Sequence, residues 1–302
     1  MKRKFLVIAL IAALFVSCAT FQPQYQQQYK PFQTDQDVEL EHSFFFAGGL
    51  NDAVSTNNPV TEQLLNQLEE AGENTTLLLL GDNLTENKAL ETEKNPSLED
   101  PLFLEELNNL NARSILLPGK SEWGGIDGAK EVRAIEKFID SRLGKNSFLP
   151  ERGCPIENIH LTETIELILL DSQWYLNDWD KFPNLNDNCE IKTRKALMDE
   201  YSSLIKKNRG KTTIVALHHP IFSNGYYGGQ YSIKDHMTPL PIVGSIKTAV
   251  RKTGGVLQTD LQNERYRKFR KRLITLSQEN KKVVFLSGHE NSLQHIYQDN
   301  LN

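Results

Sequence analysis

Cysteine is scarce in this chain: three thiols in 302 residues, at positions 18, 154 and 189. Three close at most one bridge, which excludes a small fold stapled by a disulfide framework. Long apolar runs are missing too. The longest uninterrupted one, residues 5–16, falls short of the roughly 20 residues that a membrane-spanning helix needs. Nor do the lysines and arginines gather into a stripe, and the formal net charge is −5, so a nucleic acid is not an expected partner. What remains is the composition of an ordinary globule, 39% apolar and 24% charged.

The N-terminus has its own logic. Lys2, Arg3 and Lys4 precede the apolar run, the charge order of an export signal. The run ends in Phe15-Val16-Ser17-Cys18, which resembles a bacterial lipobox with Phe15 where leucine is usual. That resemblance implies a diacylated Cys18 as the mature N-terminus, in the cell envelope and on the outer membrane; the alternative is a plain signal peptide cut near Ala19. Residues 19–40, rich in Gln, Tyr and Pro at their start, read as a flexible tether, and 41–302 as one α/β domain. With Cys18 lipidated, Cys154 and Cys189 remain in polar, loop-like stretches, and an oxidising compartment favours a bridge between them.

The stretch TTLLLLGDNLT, residues 75–85, organises the rest. A short apolar run closed by Gly-Asp suits a strand buried on both faces, with a carboxylate at its C-terminal end, where such sheets bind ligands. Further strands are expected at 44–47, 114–117, 165–170, 212–217 and 282–286. Helices are expected at 61–71, 102–110, 129–143, 191–207 and 261–280, the charges of the last forming a solvated face. Residues 237–255 show no clear period. The alternation predicts parallel strands with crossover helices, and each candidate site residue falls just after a strand.

Five blocks carry a resemblance to the calcineurin-like metallophosphoesterase superfamily, most closely its purple-acid-phosphatase-like branch of bacterial lipoproteins. In order they are FFFAGG, LLLLGDN, LPGKSEW, LHHPIFSNG and SGHENSLQH, with LDSQWYLNDWDKFP between them also similar to the branch. The resemblance implies a four-layer α/β/β/α sandwich. It also implies strands beyond the last block, so either the final sheet lacks its last strands or the chain is a piece of a longer protein.

In that family two metal ions share a bridging Asp. Carried over, the first ion's positions fall on Gly49, Asp82, Thr85 and Asn291, of which only Asp82 is a strong ligand. The second ion's positions fall on Asp82, Lys120, His218 and His289, and two His plus a carboxylate make a sensible Zn or Fe set. Lys120 has the wrong charge there. At 4 Å and an effective dielectric of about 20, a unit charge costs roughly 4 kcal/mol, and about twice that beside a divalent ion. Ser121 stands where the family has a His that protonates the leaving group. His219 reads as a packing residue beside a ligand, and Asp52 as a cap.

The resemblance thus implies a largely eroded dimetal site. One reading is a lipid-anchored phosphoesterase-like domain, weak or inactive, serving as a binding or scaffold module for an envelope protein. There Lys120 lies against Asp82 in place of an ion, or Asp82, His218 and His289 simply bond one another. The other reading is an active phosphoric-ester hydrolase with a single Zn, Fe or Mn on Asp82, His218 and His289.

Overall fold

The computed structural model describes residues 40–49, 59–83, 102–124, 128–178, 189–290 and 292–297. Cys18, Asp52, Thr85 and Asn291 lie outside these, so the roles expected of them rest on sequence alone. Two sheets form the centre. The first is wholly parallel, in the order β1 (Ser43–Ala47), β2 (Thr75–Leu79), β3 (Arg113–Leu116). The second runs β4 (Ile156–His160), β5 (Ile165–Leu170), β6 (Thr212–Leu217), β7 (Val283–Ser287). Its last three strands are parallel, but β4 pairs antiparallel with β5. Sequence expectation missed β4, because in IENIH only Ile156 and Ile159 are buried and no period-two pattern shows.

Alternation along the strands builds the layers. Leu78 and Leu80 join Ile115, Leu117, Leu167, Leu169, Ile214 and Ala216 in one apolar cluster drawn from both sheets. Their neighbours Leu77, Leu79, Leu116, Ile168, Leu170, Val215 and Leu217 belong instead to the cluster that takes in the helices. The sheets therefore face each other through one set of side chains and the helices through the other, the expected α/β/β/α order. Leu77 to Leu80 are at most 1% exposed, and each such burial contributes about 1.5–3 kcal/mol.

The helices are α1 (Pro59–Glu70), α2 (Leu102–Asn108), α3 (Lys120–Trp123), α4 (Gly128–Leu143) and α5 (Ser172–Leu176), then α6 (Arg194–Lys207), α7 (Ile233–Met237), α8 (Pro241–Gly254) and α9 (Glu264–Ser277). Helix α4 buries Val132, Ile135 and Ile139, and α6 buries Leu197, Tyr201 and Ile205, both at helical spacing. Helix α9 is shorter than expected, and below its charges Tyr266, Phe269 and Leu273 are buried. The stretch without a clear period is the one that forms α8. Cys154 and Cys189 are bridged, with Cα atoms 5.3 Å apart, closing a sequence separation of 35 residues.

Candidate metal centre

The parallel strands of both sheets end at one place, and the loops that follow them meet there. Leu80 N donates to Ala47 O, and Leu117 N to Leu79 O. Between the sheets, His218 Nδ1 donates to the Leu80 carbonyl at 2.7 Å. Glycines make so close an approach possible. A Cβ on Gly81 would lie 2.6 Å from His218 Nδ1, and one on Gly119 2.8 Å from Asp82 Oδ1.

His218 is fully buried, and a carbonyl only accepts, so Nδ1 carries a hydrogen; in the neutral ring Nε2 then keeps its lone pair, and in the charged ring it donates to what faces it. Around that Nε2 lie Asp82 Oδ2 at 3.2 Å and His289 Nδ1 at 3.0 Å. The other Asp82 oxygen, Oδ1, accepts the Ser121 N–H at 2.7 Å. Asp82 and His289 both hold positive φ, 55° and 66°, a conformation that costs a non-glycine residue about 1–3 kcal/mol and concentrates at functional sites.

Charge follows from this geometry. Burial pushes Asp82 up, but the hydrogen bond and charge of His218 outweigh it and hold the carboxyl below its usual range. Burial pushes His218 down, and Asp82 more than reverses that. Burial and then His218 drive His289 down to about 3, and the same causes put His219 well below its ordinary value. His219 and His289 are therefore neutral at neutral pH.

One donor atom each from His218, His219 and His289 lies within 4.8 Å of the others. His219 Nδ1 is engaged by Ser172 Oγ at 2.9 Å, while its Nε2, and that of His289, are buried without a partner. The loop at residues 223–232, SNGYYGGQYS, reaches this group: Tyr227 stacks on His289 with ring centroids 4.0 Å apart, and Glu290 Oε1 accepts the Tyr227 N–H at 3.0 Å.

The residues expected from sequence fare differently. Asp82, His218 and His289 come together. Lys120 is exposed at the start of α3 and makes no ion pair with Asp82, whose Oδ1 instead accepts the next backbone N–H, that of Ser121. The expectation that Lys120 takes the place of an ion is thus not met. Gly49 sits beside the site, its N–H on the Gly81 carbonyl, and offers no ligand.

Three residues that matter were not singled out in the sequence. Glu122, 1% exposed, accepts from the backbone N–H of Asp82 (2.9 Å), Asn83 (2.7 Å) and Gly119 (2.8 Å), and so ties the loop after β2 to the loop after β3. Asp171 caps α5 through Trp174 N and takes the Trp123 indole N–H, each at 2.8 Å, and burial pushes it up to about 7. Ser172 orients His219, accepting its N–H at 3.0 Å. The only sequence signal for Glu122 was its place in LPGKSEW, a carboxylate one residue from an apolar Trp.

No curated protein matches the chain. A family model does: that of the calcineurin-like phosphoesterases covers residues 54–292, which takes in the loops bearing Asp82, Glu122, His218 and His289. The chain belongs to the calcineurin-like phosphoesterase family.

Proposed function

We propose that this chain is a metal-dependent phosphoric-ester hydrolase, of the purple-acid-phosphatase-like branch, working with one divalent ion on Asp82, His218 and His289. The observation that carries this is that Asp82 Oδ2 and His289 Nδ1 both lie within the spacing of shared metal ligands from His218 Nε2. Two ligands about 2.0–2.1 Å from a shared tetrahedral ion lie about 3.3 Å apart, and the spacings from His218 Nε2 are 3.2 and 3.0 Å. A single hydrogen there serves one neighbour and leaves the others facing lone pair to lone pair. A cation serves all of them, so the residues present fit a Zn, Fe or Mn ion, with His219 Nε2 a further donor in reach.

When bound, such an ion supplies Lewis acidity and a nucleophile at neutral pH. The chain's own residues do the rest. Ser121 N–H and Glu122 hold Asp82 in place, Ser172 holds His219, and Tyr227 covers His289. Lys120, exposed and near enough for its charge to add to the lowering of His289, is available to phosphate oxygens. Gly49 gives a second ion no ligand, so the dimetal site of the family is eroded to one position. Ser121 is not an acid at neutral pH, and loss of a general acid costs about 10²–10⁴ in rate, so turnover is slow and favours esters with good leaving groups. We propose further that Cys18 is lipidated and holds the domain in the cell envelope.

Hydrolysis of p-nitrophenyl phosphate is expected to require added Zn, Fe or Mn, to stop with chelator, and to fall in His289→Ala by more than the roughly 10–100-fold that loss of a ligand's supporting partner costs. Turnover unchanged by both chelator and His289→Ala would overturn the proposal. A metal-loaded protein with no turnover on any activated ester would return the chain to the scaffold role.

A further inference from the structure

Helix α8 is built inside out. At 100° per residue, Ile242, Val243, Ile246 and Val250 fall within an arc of about 100°, yet all four are exposed, at 76, 47, 59 and 49%. The buried positions of the helix are Gly244, Thr248 and Arg251. Helix α7, the turn before α8 and the turn after it add Ile233, Met237, Leu240, Val256 and Leu257, again exposed, at 83, 53, 63, 62 and 47%.

Polar contacts hold this orientation. Arg251, 5% exposed, pairs with buried Asp260, donates to the Tyr226 hydroxyl at 2.5 Å, and lies 4.6 Å from the Tyr226 ring centroid and 5.2 Å from that of Tyr231. Thr248 Oγ1 lies 3.1 Å from His236 Nδ1. An ordinary amphipathic helix is held by its apolar stripe; this one is held by a guanidinium and leaves the stripe in water, at a cost that only a further apolar partner recovers.

The charges around the stripe say which partner. In a chain of net charge −5, residues 232–257 carry Lys234, Lys247, Arg251 and Lys252 against the one acid Asp235. Arg251 is spent on Asp260; the three lysines are exposed, and Lys247 borders the stripe. An exposed apolar arc flanked by lysines is the pattern of a helix lying in a membrane interface. A twofold pairing of two copies through this face would set lysine near lysine.

We propose that α7 and α8 dock this domain on an anionic lipid surface, the apolar arc entering the headgroup boundary and the lysines meeting lipid phosphates. The surface stands independently of the lipid at Cys18, which would raise its local concentration at a bilayer. Tyr226, bonded to Arg251, adjoins Tyr227 on His289, so the docked face borders the candidate metal centre.

The test places an environment-sensitive fluorophore on Ile246→Cys in the full-length chain, with Glu200→Cys, exposed on α6, as control. Probes are read on vesicles with and without phosphatidylglycerol and with spin-labelled lipids as quenchers. The 246 probe is expected to shift to the blue and be quenched on anionic vesicles, the control to do neither. Each lysine replaced by glutamate at 234, 247 and 252 is expected to cost about fivefold or more in partition on a chain without lipid. A 246 probe that stays water-like while the chain sits on vesicles would overturn the proposal and leave the Cys18 reading intact. A blue shift without vesicles that grows with protein concentration would overturn it in favour of a second copy. If the chain proves unlipidated, the same shift is expected at excess anionic lipid, and its absence there overturns the proposal as well.

Discussion

Glu122→Ala is expected to lower the stability of the domain by about 3–5 kcal/mol, since an unpaired buried donor costs about 1–3 kcal/mol and this side chain serves three backbone N–H groups. Against a typical domain stability of about 5–15 kcal/mol that is a large fraction, and denaturant titration with an unchanged slope would read it. The damage is local in origin. Two of the three donors are Asp82 N and Asn83 N, the backbone that presents the Asp82 carboxylate. The folded fraction of the variant is therefore expected to lose metal affinity as well as stability. Glu122→Gln, which keeps one acceptor oxygen, should fall between; an alanine variant within 1 kcal/mol of the parent would show that Glu122 is not the tie between the two loops.

Gly81→Ala is the second large effect. Gly81 sits at φ +83°, and a Cβ there meets His218 Nδ1 at 2.6 Å and the backbone of Gly119 at 2.7 Å. An L side chain in that backbone region costs about 1–2 kcal/mol, and the overlap adds about 1–3 kcal/mol more. His218 cannot retreat without giving up the Leu80 carbonyl that fixes its tautomer. Gly49 is the natural comparison: its φ is +68°, but a Cβ there meets nothing within 4 Å. Gly49→Ala should carry only the conformational cost and leave metal binding intact, whereas Gly81→Ala should lose both stability and the ion. Equal effects from the two would mean that close packing of the loops is not what builds the site.

The parts of the fold that sequence made legible were those where burial writes a pattern. The four leucines before Gly81, three of them in β2, and the runs at 165–170 and 212–217 sit on both faces in the core, and the strands stand where expected. Elements whose interior face is polar were not legible. The apolar positions of α8 do share an arc, but Pro239, Pro241 and Gly244 break the stretch and the helix buries Thr248 and Arg251. At the site, the order of the blocks was enough to bring Asp82, His218 and His289 together. Which way Lys120 points was not, because that depends on a four-residue helix whose N-terminus is tied to Glu122. Buried carboxylates such as Glu122 and Asp171 look in sequence like surface residues, and only their backbone and indole partners reveal the role.

The central claim is that Asp82, His218 and His289 hold one metal ion. Elemental mass spectrometry of the purified chain, after incubation with zinc, iron and manganese and removal of the excess, tests it most directly. About one ion per chain, lost in His218→Ala and retained in Lys120→Ala, is the expected result. No bound metal in the parent chain, or metal that survives His218→Ala, would contradict it.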